Sequence, residues 1–210
     1  MIYLPTKNRP RNIERFITAY HRSGATLPVV LCINEGDKSY NRLELPDNFT
    51  VERFPARCVN DIHRFMFQKY PAEEFYAVLA DDVIPGSPLW DIKLKAACLP
   101  GNLAWGADGL QNERLPTHPF MGGDFVRRMG FICPPRLKHW YADNIWLNFA
   151  TAWGVGRYLK DVKLWHLHHL NHLSPMDETY ASQPDTEEDR KTYEDFMAND
   201  FMGIVDGTHP

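Results

Sequence analysis

Residues 2–34 read IYLPTKNRPRNIERFITAYHRSGATLPVVLCIN, and this stretch decides the fold. The apolar run at 2–4 predicts a strand, and the polar, proline-containing residues after it predict a loop. From Ile13 to Tyr20 apolar residues recur at the i, i+3, i+4, i+7 spacing of an amphipathic helix. The β-branched run VVLCI at 29–33 is typical of a buried strand in a parallel sheet. The opening therefore predicts a β-α-β unit.

Strand and helix patterns go on alternating beyond this unit. Strands are expected at 49–54, 75–80 and 161–170, and helices at 62–70, after Asp143 and after Thr186. Turn-forming residues dominate 101–109 and 116–124, where no element is predicted. This alternation predicts an α/β fold with an open sheet flanked by helices, in a single domain with a short C-terminal helical tail. We expect the domain to cover residues 1–175, and residues 176–210 to form an extension that packs on or covers the site.

Composition narrows the class of protein. The chain has 210 residues, 44% of them hydrophobic and 24% charged, which is ordinary for one soluble globular domain. The sequence shows neither an apolar run long enough for a membrane span nor a signal-peptide pattern, so we expect a cytoplasmic protein without a membrane partner. The four cysteines lack CxxC spacing and are expected to be free thiols. A net charge of −4 provides no global attraction to phosphate polymers.

Asp81 and Asp82 directly follow the apolar strand expected at 75–80. Two adjacent carboxylates at the exit of a buried strand must be solvated, paired or bound to a cation. Their oxygens suit Mg²⁺ or Mn²⁺, ions that bridge phosphates and neutralise charge on a leaving diphosphate. Ligands of open α/β sheets gather at the carboxyl ends of strands, where this pair is expected. A turn with two exposed acidic residues is the alternative.

Two other segments carry candidate site residues. The sequence WHLHH at 165–169 places His166 and His168 on one face of an extended segment, where either imidazole could complete a metal site. Ordinary hydrogen-bonded histidines at a polar strand end are the alternative. Gly123 permits a close backbone approach that a donor-sugar pocket could use, and Asp124 could bind sugar hydroxyls, although a plain turn accounts for them equally well.

Several of these segments, in this order over roughly residues 1–180, resemble the nucleotide-sugar-dependent glycosyltransferases of the GT-A fold, whose first half is a Rossmann-like nucleotide-binding unit. LPTKNRP at 4–10 resembles the family's first strand and loop, which lies against the nucleotide base and diphosphate. EGD at 35–37 stands where the family carries acidic residues near the base or ribose. The resemblance implies a GT-A-like mixed sheet and donor binding by Pro5, Thr6, Lys7, Arg9, Glu35 and Asp37.

The resemblance also implies a metal site. LADDVIP at 79–85 is similar to the family's DxD segment, but Ala80 stands at its first acidic position. The match implies that Asp82 ligates the metal directly and that Asp81 supports the ribose or the metal's waters. GT-A enzymes often carry a late histidine ligand, for which His166 is preferred because it ends the strand-like run VKLW, with His168 in reserve.

HWYADN at 139–144 resembles the acidic motif before a helix in inverting members, where the carboxylate is the catalytic base. An acceptor hydroxyl has a pKa far above neutrality, so a base within hydrogen-bond reach lets its proton leave as the new bond forms. The resemblance implies this role for Asp143, which a helix N-terminus would keep ionised, although capping alone would also explain it. Trp140, Tyr141 and Asn144 are then expected beside the acceptor, and inversion is favoured over retention.

Basic residues interleaved with aromatic ones suggest one class of acceptor. Arg127, Arg128, Arg136 and Lys138 lie close in sequence to Phe131 and Trp140. Such a cluster suits a phosphate-bearing acceptor, including hydroxymethylated pyrimidine in DNA, although most such runs are only solvated surface. Compact transferases of this appearance are often phage-encoded.

The sequence therefore predicts an enzyme that moves a sugar from a nucleotide diphosphate, with UDP favoured, to a hydroxyl of a glycan or a modified DNA base, using Mn²⁺ or Mg²⁺. One alternative is a zinc-dependent hydrolase built on the histidines from His166 to His172, although the HExxH spacing is missing. The other is a nucleotide-binding module without catalysis, which the loss of the first acidic residue at Ala80 would suit.

Overall fold

A computed structural model describes residues 1–183 and 186–203. Eight strands alternate with seven α-helices in the order β1 (Ile2–Thr6), α1 (Pro10–Arg22), β2 (Val29–Asn34), β3 (Phe49–Phe54), α2 (Val59–Lys69), β4 (Phe75–Val78), β5 (Val83–Pro85), α3 (Trp90–Cys98), β6 (Leu103–Ala107), β7 (Phe120–Gly122), α4 (Gly123–Met129), α5 (Ala142–Ala152), β8 (Gly156–His166), α6 (Glu178–Ala181) and α7 (Thr186–Ala198). Short 3-10 turns occupy Asn112–Arg114, His169–Asn171 and Asp200–Gly203.

The strands form one mixed sheet in the order β3-β2-β1-β4-β7-β6-β8-β5. The first four in this order run parallel, as βαβ connections require. Strand β7 is antiparallel to both of its neighbours, β4 and β6, and β5 is antiparallel to β8. The predicted α/β class, an open mixed sheet flanked by helices, is thereby confirmed.

Helices cover both faces of the sheet because successive strand residues point to opposite sides. Ile2 and Leu4 of β1 belong to the core shared with α1 and α3, whereas Tyr3 between them belongs to the core shared with α2, α4 and α5. All three side chains are fully buried. Alternate side chains of one strand therefore contribute to two separate cores.

Most elements predicted in the first half lie where expected, but the late strand does not. It begins at Gly156, before the expected residue 161, and ends at His166. The backbone N–H of Leu167 leaves the strand to donate to Asp82 O at 2.8 Å, and a 3-10 turn follows at His169–Asn171. His168 consequently lies beyond the strand. The turn-rich middle contains β6, β7 and α4, which the sequence patterns had not indicated.

The pairing of β5 with β8 brings the middle of the chain next to its end. In this pairing Val83 stands opposite His166. Asp82, which immediately precedes Val83, therefore lies beside His166. Asp81 and Asp82 occupy the short link between β4 and β5, at the carboxyl end of β4.

Candidate active site

A cavity of about 370 Å³ opens at the carboxyl ends of β1 and β4. Its walls come from the loop after β1, the start of α2, the start of α5, the end of β8 and the segment around α6. The predicted site residues that line it are Pro5, Thr6, Lys7, Arg9, Asp81, Asp82, Trp140, Tyr141, Asp143, His166 and His168. This location agrees with the rule that α/β sheets bind ligands at the carboxyl ends of their strands.

Asp81 is bound by two residues of the first strand and loop. The Thr6 hydroxyl donates to its Oδ2 at 2.8 Å, and Arg9 Nη1 donates to its Oδ1 at 3.0 Å. Burial and then the charge of Asp82 raise the pKa of Asp81 to about 6, against the opposing effect of Arg9 and Thr6. The loop that is predicted to bind the nucleotide-sugar donor therefore holds the Asp81 carboxyl group in place.

Asp82 is the carboxylate of the cavity that is best suited to bind a cation. It is 3% exposed, its Oδ2 accepts the Tyr180 hydroxyl at 2.5 Å, and its Oδ1 lies 3.4 Å from His166 Nε2. That Oδ1 atom is buried without a hydrogen-bond partner. Burial acts to raise the pKa of Asp82, but His166 and Tyr180 outweigh it and hold the pKa well below its usual value. Asp82 therefore carries a negative charge with one free oxygen.

Three imidazoles surround this carboxylate. The ring centroid of His166 lies 4.6 Å from that of His118 and 5.0 Å from that of His168. Burial lowers the pKa of His118 to about 3 and that of His168 to about 4, so both rings are neutral near pH 7. His118 was not singled out from the sequence, because it stands alone in a turn-rich stretch with no motif around it.

Asp82 and His166 have the donor types that Mn²⁺ and Mg²⁺ accept, and the unpartnered Asp82 oxygen fits a cation. Among residues 1–183 and 186–203, no three His, Cys, Asp or Glu side chains are arranged to hold an ion together. Magnesium-type ions are commonly bound by one or two carboxylates plus substrate phosphates. The donor set fits an ion that is completed by a bound nucleotide.

Asp143 stands in the first turn of α5 and lines the cavity. Its Oδ1 accepts the backbone N–H of Asn144 at 2.9 Å. Burial raises the pKa of Asp143, contrary to the depression expected from the helix N-terminus alone. Trp140 and Tyr141 line the cavity beside it, whereas Asn144 lies outside the cavity wall.

Four predicted donor residues lie away from the cavity. Glu35 is exposed, and Asp37 accepts the backbone N–H of Asn8 at 2.8 Å, which shapes the loop after β1. Gly123 and Asp124 follow β7, and because β7 runs antiparallel to β4 they lie at the opposite edge of the sheet from Asp81.

The glycines at that edge serve packing instead. A Cβ at Gly122 would lie 2.5 Å from the carbonyl oxygens of Cys98 and Pro100, and one at Gly123 would lie 2.2 Å from that of Glu73. The close approach expected here is therefore between backbone segments. Asp124 is exposed and pairs with Arg127 at 2.7 Å.

Residues around α6 close the cavity from outside. Asp177 accepts from Arg9 Nη2 at 2.6 Å and from Arg9 Nε at 2.8 Å, and the Arg9 guanidinium lies 4.1 Å from the centroid of the Tyr180 ring. Arg9 thus bridges Asp81 inside the cavity and Asp177 at its rim. From the sequence, this segment was expected near the site only because it follows the histidine-rich segment in the chain.

The basic residues near the predicted acceptor site contact other side chains of the protein. They are Arg127, Arg128, Arg136 and Lys138. Arg136 pairs with Asp195 and Lys138 with Glu188, both on α7, as Arg127 does with Asp124. The Arg128 guanidinium lies 3.9 Å from the centroid of the Trp153 ring. These cations are engaged in contacts with other elements of the fold.

Solved structures similar to this chain include three nucleotide-sugar transferases and a Bacillus anthracis protein named as a glucose-1-phosphate thymidylyltransferase. A Desulfovibrio desulfuricans protein named as a nucleotide-diphospho-sugar transferase matches with a TM-score of 0.54 and 12% identity over 97% of this chain and 95% of that one. A mannosyltransferase from Pyrobaculum calidifontis, in complex with GDP-Man and Mn²⁺, matches with a TM-score of 0.57 and 13% identity over 78% and 55%. The catalytic domain of Drosophila β1,4-galactosyltransferase 7, with xylobiose, matches with a TM-score of 0.51 and 13% identity over 91% and 77%.

These similarities establish the fold as that of GT-A nucleotide-sugar transferases. No protein-family model and no curated protein sequence matches the chain. None of the helices among the described residues is long and apolar enough to cross a membrane.

Proposed function

We propose that this protein is a metal-dependent glycosyltransferase that moves a sugar from a nucleotide diphosphate to a hydroxyl acceptor. The observation that carries the proposal is the convergence of Asp82 and His166, 3.4 Å apart, in a cavity that also contains Arg9 and Asp143. The fold shared with nucleotide-sugar transferases supports it.

Asp82 and His166 would hold Mn²⁺ or Mg²⁺, with His168 as a further candidate. When bound, the ion supplies positive charge that stabilises a leaving diphosphate. Arg9 and Lys7 lie on the loop at the cavity mouth, where their charges would bind the same phosphates. Asp81, held by Thr6 and Arg9, would then face the ribose or the waters of the ion. We keep UDP as the favoured nucleotide because the sequence resemblance implied it.

Asp143 would accept the proton of the acceptor hydroxyl as the new glycosidic bond forms. Burial raises the pKa of Asp143, which makes it a stronger base than an exposed aspartate. Trp140 and Tyr141 provide aromatic surface beside it for an acceptor. A base on the acceptor side supports direct displacement with inversion.

The extension after residue 175 would cover the bound donor. Tyr180 and Asp177 already contact Asp82 and Arg9, so this segment lies on the groups that a nucleotide would need. Residues 184, 185 and 204–210 of the expected extension lie outside the described residues.

We favour a glycan over a modified DNA base as the acceptor. The cations that suggested DNA, including Arg136 and Lys138, pair with acidic side chains of α7. The DNA base stays a prediction that a direct transfer assay would test. A zinc hydrolase would need three protein ligands, and the described residues contain no such group.

The test is a thermal-shift screen of UDP- and GDP-sugars with and without Mn²⁺, followed by transfer assays with the donor that binds. We expect one nucleotide class to raise the melting temperature only when Mn²⁺ is present. Asp82→Asn should abolish this shift and the metal-dependent turnover while the fold remains intact. Asp124→Asn, an exposed acid at the opposite edge of the sheet, is the matched control and should behave as wild type.

Full activity of Asp82→Asn would refute the metal role. Tight stoichiometric zinc in the purified protein would favour the hydrolase instead. Donor binding without any transfer or donor hydrolysis would favour a nucleotide-binding module.

A further inference from the structure

The imidazole of His166 lies between two carboxylates. Its Nε2 is 3.4 Å from Asp82 Oδ1, and its Nδ1 is 4.0 Å from Asp108 Oδ2. The Nδ1 atom is buried and has no hydrogen-bond partner. A buried imidazole nitrogen requires a hydrogen-bond partner, and Asp108 Oδ2 is a carboxylate oxygen within ion-pair distance of it.

Asp108 is held rigidly with respect to His166. Its Oδ1 accepts the backbone N–H groups of Leu110, Gln111 and Asn112 at 2.7–2.9 Å, and its Oδ2 accepts the Thr117 hydroxyl at 2.8 Å. Its carbonyl oxygen accepts the backbone N–H of His166 at 2.8 Å. Asp108 is 2% exposed, so its carboxylate is shielded from bulk solvent.

We propose that Asp108 is a positioning residue, which accepts the Nδ1–H of His166 and so keeps the Nε2 lone pair directed at the cation site beside Asp82. The inference rests on the proposed metal role of His166. Histidine ligands commonly donate their second ring N–H to a carboxylate, which sets the tautomer and the ring orientation. The other groups facing this ring are Asp82, on the Nε2 side, and the rings of His118 and His168.

Asp108→Asn tests this role with a change of one functional group. Three backbone N–H groups converge on Oδ1, so the amide oxygen of the variant is expected to take that place and the amide N–H₂ to face His166. A donor at Nδ1 favours the tautomer protonated at Nε2, which cannot bind a metal ion. We expect Mn²⁺ affinity to fall by about 10- to 100-fold.

The affinity is measured by electron paramagnetic resonance of free Mn²⁺, with UDP and separately with GDP present and without a sugar donor. Asp161→Asn is the matched control, because it makes the same change at an exposed carboxylate of β8 that has no role in the cavity. It should leave the affinity within about twofold of wild type. An unchanged affinity in folded Asp108→Asn would overturn the role of Asp108.

A second measurement does not depend on the variant folding. Histidine ¹⁵N spectra of the wild-type protein with Mg²⁺ and the nucleotide should show His166 protonated at Nδ1, and a proton at Nε2 would overturn the proposal. His166→Ala separates the two levels of inference. If it leaves Mn²⁺ affinity unchanged, the proposed metal site itself fails, whereas an effect of His166→Ala without one of Asp108→Asn removes only the positioning role.

Discussion

The Tyr180 hydroxyl donates a hydrogen bond to Asp82 Oδ2 at 2.5 Å across 98 positions of the chain. Arg9 lies over the same tyrosine ring and pairs with both Asp81 and Asp177. The proposed cation-binding carboxylate and the proposed phosphate-binding guanidinium are thus both engaged by the protein's own side chains. A ligand that enters the cavity competes with these contacts.

Tyr180→Phe should strengthen Mn²⁺ binding. The hydroxyl donates to Oδ2 and so withdraws negative charge from the carboxylate whose Oδ1 would bind the ion. A hydrogen bond of this type contributes about 1 kcal/mol, so we expect an affinity increase of roughly threefold to tenfold. Phenylalanine keeps the ring contacts with His168 and His169. Titration of Mn²⁺ measures the change, and Tyr193→Phe on α7 serves as the control. Weaker binding in Tyr180→Phe would mean that the hydroxyl supports the ion instead of competing with it.

Arg9→Gln should weaken nucleotide diphosphate binding by about 10- to 100-fold, because a charge-assisted hydrogen bond to phosphate contributes on the order of 1.5–3 kcal/mol. It should also increase hydrogen exchange in residues 177–183, which lose their anchor. Calorimetric titration and exchange mass spectrometry measure the two effects. Arg11→Gln, an exposed change two residues away in the first turn of α1, should alter neither. Unchanged nucleotide affinity in Arg9→Gln would exclude the phosphate role.

Asp143→Asn should lower the transfer rate by about 10²- to 10⁴-fold while the dissociation constant of the donor stays close to wild type. Because burial raises the pKa of Asp143, wild-type activity should fall with decreasing pH at a higher pH than an ordinary aspartate would give. Steady-state kinetics over a pH series, together with donor titration, test both points. A variant that loses donor binding and transfer equally would indicate a structural role.

Asp81→Asn should make the protein more stable at pH 7.5 than the wild type, and this difference should vanish below about pH 4. Burial raises the pKa of Asp81 to about 6, above the value of an unfolded chain, so the folded state binds this proton more tightly. Ionisation between about pH 4 and 6 therefore lowers stability as the pH rises, by about 1–3 kcal/mol. Urea denaturation at both pH values measures it. An equal difference at both values would show that the ionisation of Asp81 is not its cause.

The local patterns at the start of the chain were sufficient to predict the elements up to β4, but β5 and α3 were not predicted. Strand β1, helix α1 and strands β2 and β3 lie where hydrophobic spacing placed them, because their buried faces repeat at regular periods. Hydrophobic spacing did not predict β7, because this strand has only three residues and is too short to show a periodic pattern. The antiparallel direction of β7, which no local pattern encodes, places Gly123 and Asp124 away from the cavity.

The candidate site residues also fall into two groups: those that the sequence indicated and those that only the tertiary structure brought to the site. Residue type and strand position indicated Asp81 and Asp82, and the family resemblance led us to prefer Asp82 and His166 as metal ligands. The sequence did not indicate His118 or Asp108, which are isolated in irregular segments. Their relation to His166 depends on the packing of β6 and the turn after it against the end of β8. Such contacts between distant residues leave no spacing in the chain.

By itself the sequence determined the β-α-β opening and two acidic residues at the exit of a buried strand, since both follow from local hydrophobic periodicity. Only the tertiary structure decided that His166 meets Asp82, because the register of β5 against β8 places Val83 opposite His166. That register depends on how the whole sheet packs against its two cores. The stabilising free energy comes from many contacts between distant residues, so no single segment of the sequence encodes it.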